Sequence, residues 1–181
     1  MIDQAHEDGL IYSDRRKNCV FIRDKDSAAF IINTQGKPFA RNLGQDGSPF
    51  VLPGSDKSVY ITGTPLEALS LKAMHPDSTI LATGTFLHKD KLEPYLQTGT
   101  DIFLAQGREK LGEEYARYLA QHFPHAKRLV PEQGQSWHEE WLLQREEKER
   151  PKLLFMESSR PKASQVEIAD ERLKPAAGMW R

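Results

Sequence analysis

The chain reads as a mixed α/β protein in which a parallel sheet flanked by helices follows a small antiparallel β-meander. Before residue 34, short β-branched and aromatic runs alternate with turn-prone stretches, the rhythm of hairpins. After Ser58, strands alternate with helical patterns of about a dozen residues, which implies parallel pairing through right-handed crossovers. Between the two lies a glycine- and proline-rich stretch that fits neither period.

The meander strands are Leu10-Ile11-Tyr12, Asn18 to Arg23 and Ala28 to Asn33. Asp14-Arg15-Arg16-Lys17-Asn18 and Asp24-Lys25-Asp26 make the turns between them. Cys19, in the apolar run Cys19-Val20-Phe21-Ile22, reads as a small core thiol. From Thr34 to Lys57, Gly36, Gly44, Gly47 and Gly54 with Pro38, Pro49 and Pro53 indicate a long irregular connection. Such connections are often binding elements, and a covering flap without a ligand is the other reading.

Val59-Tyr60-Ile61-Thr62 opens the main sheet, and a helix from Pro65 to Met74 follows with Leu66, Leu69 and Met74 at helical spacing. Thr79 to Thr83 is the next strand and His88 to Leu96 a short helix. Ile102 to Ala105 is the third strand. The helix from Arg108 to Phe123 places Leu111, Tyr115, Tyr118, Leu119 and Phe123 on one face. Lys127 to Val130 is the fourth strand and Ser136 to Arg150 the final helix. The expected division is residues 1–57 for the meander and loop, 58–150 for the α/β domain, and 151–181 for an extension of marginal order or a linker cut from a longer protein. Within that tail, Leu153-Leu154-Phe155-Met156 is an apolar patch that docks on the domain or forms a late strand.

Hydrophobic residues at 38% and charged residues at 28% are ordinary for a globular protein. A net charge of -1 provides no global positive field, so any contact with nucleic acid needs local basic patches. One cysteine excludes an intramolecular disulfide. No apolar stretch approaches the ~20 residues that cross a bilayer, and Met1-Ile2-Asp3-Gln4 begins no signal region. A soluble, cytoplasmic protein with no membrane partner is expected.

In parallel sheets ligands bind beyond the carboxyl ends of the strands. The turns at issue are Thr62-Gly63-Thr64-Pro65, Gly84-Thr85-Phe86, Gln106-Gly107-Arg108-Glu109 and Glu132-Gln133-Gly134-Gln135. The run from Tyr60 to Ser70, with Thr62-Gly63-Thr64-Pro65-Leu66-Glu67-Ala68-Leu69 at its centre, resembles the opening strand, turn and helix of a Toprim-like domain. Ile102 to Gly112 is similar to that family's Asp-x-Asp turn and following helix. Gln135-Ser136-Trp137-His138-Glu139 is similar to a third element, approximately Lys-Asp-Trp-Asn-Glu. Gly9-Leu10-Ile11-Tyr12 with Gly54-Ser55-Asp56-Lys57 resembles the module that precedes this domain in plasmid and integrative-element primases and in proteins fused to mobilization relaxases. The resemblance spans roughly residues 9 to 145.

The resemblance implies a Toprim-like Rossmannoid parallel sheet, with Mg²⁺ held by clustered carboxylates and a Glu as general acid/base. The departures fall on that chemistry. The family's Glu falls on Gly63, the first Asp on Gly107 and the second on Glu109, while the Asp and Asn of the third element become Ser136 and His138. No catalytic residue, metal or cofactor is therefore expected. If the chain is an enzyme, Glu67 and Glu109 are the candidates to hold Mg²⁺. Thr64-Pro65-Leu66-Glu67 is also a capping box, which accounts for Glu67 without a metal. Glu113 and Glu114 read as a solvated face or partners of Arg117.

A site short of carboxylates repels phosphate less. Thr64, and Arg108 at a helix opening, are candidate anion contacts. Arg15, Arg16 and Lys17 form a basic hairpin tip, and Lys37 and Arg41 flank Phe39, a composition compatible with single-stranded nucleic acid. The plain alternative is solvated surface charge offset by Asp14, Asp24 and Asp26. Three functions remain open. The first is a catalytically degenerate Toprim-like module in DNA processing of a mobile genetic element (plasmid mobilization, conjugation or replication), binding single- or double-stranded DNA or a relaxase or primase partner. The others are a divergent Mg²⁺-dependent primase or nuclease and a pure protein-interaction module.

Overall fold

The computed structural model of the chain describes residues 2–24, 28–35, 39–44, 47–84 and 89–158. A short helix, α1 (Ile2–Glu7), buries Ala5 and leads into the meander. Strands β1 (Ile11–Ser13), β2 (Cys19–Asp24), β3 (Ala28–Ile32) and β4 (Ala40–Leu43) follow in one antiparallel sheet of order β1-β2-β3-β4. At the β1–β2 tip the Asp14 carboxylate accepts hydrogen bonds from the amides of Arg16 (2.8 Å) and Asn18 (2.9 Å) and from Asn18 Nδ2 (2.8 Å). These bonds, those from Asn18 first, hold its carboxyl below the ordinary carboxylate range.

The main sheet takes β5 (Phe50–Leu52), β6 (Ser58–Thr62), β7 (Thr79–Ala82), β8 (Asp101–Leu104) and β9 (Lys127–Arg128) in the order β5-β7-β6-β8-β9. Strand β5 runs antiparallel to β7, and the other pairs are parallel. Helices α2 (Pro65–Met74), α3 (Lys89–Leu92), α4 (Lys110–His122) and α5 (Trp137–Ser158) complete the described elements, with a 3₁₀ turn at Glu93–Tyr95. Alternation along β6 sends Tyr60 to one core with Phe21, Phe30, Ala68 and Leu71, and sends Val59 and Ile61 to another with Leu81, Leu104 and Leu119. The meander thus packs on the same side of the sheet as α2, where Phe21 meets Phe50 edge-on at 5.5 Å.

The mixed α/β class with a leading meander is what the sequence predicts, but several elements differ. The stretch read as irregular, 34–57, contains β4 and β5. Three of the four β4 residues are exposed, so the strand has no apolar alternation to reveal it. Strand β5 is three residues, with Phe50 and Leu52 buried, too short for a period to register. The main sheet consequently begins before Ser58.

Helix α4 opens at Lys110 and turns Gly112, Ala116 and Leu119 inward, leaving Leu111 and Tyr118 exposed. The expected apolar face is therefore rotated, because small residues let the helix approach the sheet more closely than aromatic ones. Residues 153–156 lie within α5 and are not a strand. The chain forms two compact units, Met1–Glu147 and Lys148–Arg181. Among the described residues no helix is long and apolar enough to cross a membrane. Lys37, Lys25, Asp26, Thr85, Phe86 and 159–181 lie outside the described residues.

Candidate functional site

The end of β6 draws three turns together. Ile61 O accepts from the Ala105 amide (2.8 Å) and from Gln106 Nε2 (3.0 Å). Thr62 O accepts from the amide (3.0 Å) and hydroxyl (3.2 Å) of Thr83, and Gly63 O accepts from the Gly84 amide (2.8 Å). A cleft of about 360 Å³ opens above these turns. Phe30, Ala40, Arg41 and Asn42 of β3 and β4 roof it, Gly63, Thr64, Glu67 and Gln106 line its base, and Glu109, Leu111, Gly112 and Tyr115 form a wall. Asn42 is held there by Arg23, whose Nη1 donates to Asn42 Oδ1 at 3.2 Å.

Glu67 is 5% exposed. Its Oε2 accepts from Thr62 Oγ1 (3.2 Å), the Thr64 amide (3.2 Å) and Thr64 Oγ1 (3.3 Å). The Glu67 amide in turn donates to Thr64 Oγ1 (3.3 Å), so the capping box is formed. Oε1 is buried without a hydrogen bond of good geometry, and the Trp137 backbone amide favours its charge from nearby. Burial, and then the charge of Glu109, push the Glu67 carboxyl above the ordinary range against the pull of the Thr62, Thr64 and Trp137 donors. Glu67 and Glu109 therefore share one electrostatic environment.

Two glycines leave room for these acids. A Cβ at Gly63 would stand 3.3 Å from Glu67 Oε2 and 3.4 Å from Gln106 Oε1. A Cβ at Gly107 would fall 2.1 Å from Glu109 Oε2, so the Glu109 side chain folds back over the space that a side chain at 107 would enter. At Gly107 a glutamate oxygen stands where the absent side chain would begin, and at Gly63 a glutamate oxygen lies in tight contact with that point. Gly112 is packed against the Gly107 peptide, where a Cβ would meet Gly107 O at 2.6 Å.

The 106–109 turn is clamped from two more directions. The Arg108 amide donates to Gln135 O (2.7 Å), so it is already engaged, and the helix opens two residues later with Glu109 at its N-cap. Arg128 donates to the carbonyls of Leu104 (3.0 Å), Gln106 (2.8 Å), Gly107 (3.1 Å) and Leu129, and to Glu113 Oε1 (2.7 Å). Glu113 is thus paired with Arg128, whereas the sequence suggested a solvated face or Arg117. The 132–135 turn is ordered by the buried Glu140, which accepts from the amides of Gln133 (2.8 Å) and Gly134 (3.1 Å). Burial raises the Glu140 carboxyl, but these amides and Gln144 bring it below its ordinary range. Trp137 is a core residue and His138 Nδ1 meets Ser70 Oγ at 3.1 Å, so the third sequence element anchors α5 on α2.

Of the predicted basic residues, Arg15, Arg16 and Arg41 line a second hollow of about 750 Å³ with Asp14, Asn18, Asn33, Gln35 and Phe39. The Arg41 guanidinium lies 5.9 Å from the Phe39 ring centre. Arg41 lines both this groove and the cleft. Lys17, at φ 61, and the exposed Arg108 line neither. Thr64 does line the cleft, and among the described residues no group of three His, Cys, Asp or Glu side chains is placed to hold a metal ion. Sequence reasoning missed Gln106 and Asn42. A polar residue closing an apolar strand just before a glycine was the available signal for Gln106.

Among solved structures, the primase fragment of the bacteriophage T7 primase-helicase protein is similar, with a TM-score of 0.57 at 14% identity over 83% of this chain and 68% of that one. Identity that low carries the fold and not the chemistry, and the fold of this chain is accordingly primase-like. No protein-family model and no curated protein matches the sequence.

Because the folded state raises the Glu67 carboxyl, its contribution to stability is complete below the unfolded pKa and is lost as pH rises through the folded one. Glu67→Gln keeps a capping acceptor without the charge. The variant should unfold at a higher urea midpoint than the parent at pH 8, with the gap closing towards pH 4. An equal gap at both pH values would mean that Glu67 is not held in this strained ionised form.

Proposed function

We propose that this chain is a primase-like nucleic-acid-binding module in which a single strand runs along the groove beside the β1–β2 tip and reaches the cleft at the end of β6. The observation that carries the reading is the shared position of Arg41, which borders both hollows. Arg15 and Arg16 supply further cations, and the exposed Phe39 offers a ring face to a base. Asp14, the acid of this groove, is committed to the hairpin amides and Asn18. The primase-like fold is compatible with this role. The narrower reading, a catalytically degenerate Toprim-like module of a mobile element that also docks a relaxase or primase, rests on the sequence resemblance and on Gly63 and Gly107.

A second reading is favoured by the two glutamates that stand beside those glycines. Mg²⁺ usually takes one or two carboxylates with waters and phosphate oxygens, so Glu67 and Glu109 are a sufficient donor pair. Bound there, the ion would supply charge stabilisation at a phosphate. Calorimetric titration of Mg²⁺ and Mn²⁺ tests it. In this reading, heat from a binding event is lost in the Glu67→Gln/Glu109→Gln double variant. Titrations indistinguishable between parent and variant remove both residues as ligands.

For the leading reading, anisotropy of a labelled single-stranded oligonucleotide is the test. Arg41→Ala should weaken binding and lower the slope of log K against log salt by about one. A parent protein that binds no oligonucleotide at low salt would refute the reading, and an unchanged slope in Arg41→Ala would remove that residue from the track.

A further inference from the structure

The guanidinium of Arg128 is collected by oxygens on every side but one. Nη1 donates to the carbonyls of Leu104 (3.0 Å), Gln106 (2.8 Å) and Leu129. Nη2 donates to the carbonyl of Gly107 (3.1 Å) and to Glu113 Oε1 (2.7 Å). Nε is buried without a partner, which suits a side chain placed by the needs of its two terminal nitrogens. Four of these acceptors are backbone oxygens, Leu104 at the end of β8, Gln106 and Gly107 in the turn after it and Leu129 just past β9, and the fifth is the first-turn acid of α4. One cation therefore ties the strand end, the turn and the helix that follows.

The orientation of the turn depends on that tie. With the carbonyls of Gln106 and Gly107 drawn to Arg128, the Gln106 side chain is left on the cleft side, where Nε2 donates to Ile61 O and Oε1 stands next to Gly63. Through Glu113, the same guanidinium holds α4 where Gly112 packs on the Gly107 peptide and Glu109 folds over Gly107. Arg128 lines neither the cleft nor the basic groove. We propose that Arg128 is the positioning residue of the cleft, a built-in cation that binds the outer side of the 106–107 turn and thereby sets Gln106 and Glu109 in the site. Lysine cannot replace it fully, because a single ammonium does not span two carbonyls and a carboxylate in the guanidinium's planar fork.

Only the affinity arm of the test depends on the cleft being a nucleic-acid site. The experiment uses the full ¹⁵N-labelled chain as parent, Arg128→Ala and Arg128→Lys. Amide resonances of residues 106–109 should move in Arg128→Ala and part of the way in Arg128→Lys, while those of Arg15 and Arg16 stay in place. Millimolar guanidinium, but not the same concentration of NaCl, should return the Arg128→Ala resonances towards the parent positions. Single-stranded oligonucleotide affinity should fall in Arg128→Ala, by about tenfold if the loss matches that of residues that orient metal ligands, with the parental salt slope retained. Unmoved 106–109 amides in both variants would overturn the proposal, as would equal effects of guanidinium and NaCl. A salt slope lowered by about one would overturn it too, since that is the mark of a direct phosphate contact. If Arg128→Ala does not fold, the charge-retaining Arg128→Lys decides the matter through the same amides. A parent that binds no oligonucleotide refutes the function proposed for the cleft and leaves the amide and guanidinium results to judge Arg128.

Discussion

Strand β6 sits inside the sheet, with β7 on one side and β8 on the other, and a buried strand end must satisfy its last backbone groups from within the protein. The carbonyls of Ile61, Thr62 and Gly63 find their donors in Ala105 and Gln106 on the β8 side and in Thr83 and Gly84 on the β7 side. Those bonds continue past the ends of the regular ladders, so three turns are drawn together at one edge. The meander then closes over them, because Phe30 packs in the same core as Tyr60 while Asn42 is tethered to Arg23. The cleft follows from completing one central strand, and the residues in it inherit their positions from that requirement.

Burial governs the electrostatics of the place so formed. Glu67 is drawn in as the capping residue of α2, where Thr62 and Thr64 donate to it, yet it loses water and gains Glu109 as a neighbour. An acid in that position disfavours phosphate at the base of the cleft. The cation that lines the cleft, Arg41, belongs to the roof and also lines the groove of Arg15, Arg16 and Phe39. A strand bound as proposed thus keeps its phosphates at the roof and groove and turns sugar and base towards Glu67, Gln106 and Glu109. Arg128, a further cation beside the turn, is spent on its outer side.

The parallel half of the fold was legible because its signals are periodic and local. Apolar runs such as Val59-Tyr60-Ile61-Thr62 and the Thr64–Glu67 capping box each name their own structure. The antiparallel additions were not legible, since β4 carries Ala40, Arg41 and Asn42 with no apolar alternation and β5 lies between Pro49 and Pro53. In α4, the large residues Leu111 and Tyr118 outweighed Gly112 and Ala116 on a hydropathy reading, although close packing selected the small ones. At the site, Gly63, Gly107 and Glu109 were singled out by the resemblance to a Toprim-like domain, and Glu67 by its capping-box spacing. Gln106, Asn42 and the pairing of Glu113 with Arg128 were not, because each depends on contacts between segments far apart in sequence.

The central claim is that the basic groove and the cleft form one continuous track. Chemical-shift mapping of the ¹⁵N-labelled chain, titrated with an unstructured single-stranded oligonucleotide, tests it most directly. The account predicts saturating shifts at Arg15, Arg16, Phe39 and Arg41 together with Gly63, Thr64, Gln106 and Glu109, all following one binding curve. Shifts confined to one of those groups, or appearing instead along α1 and the carboxyl end of α2, would contradict it.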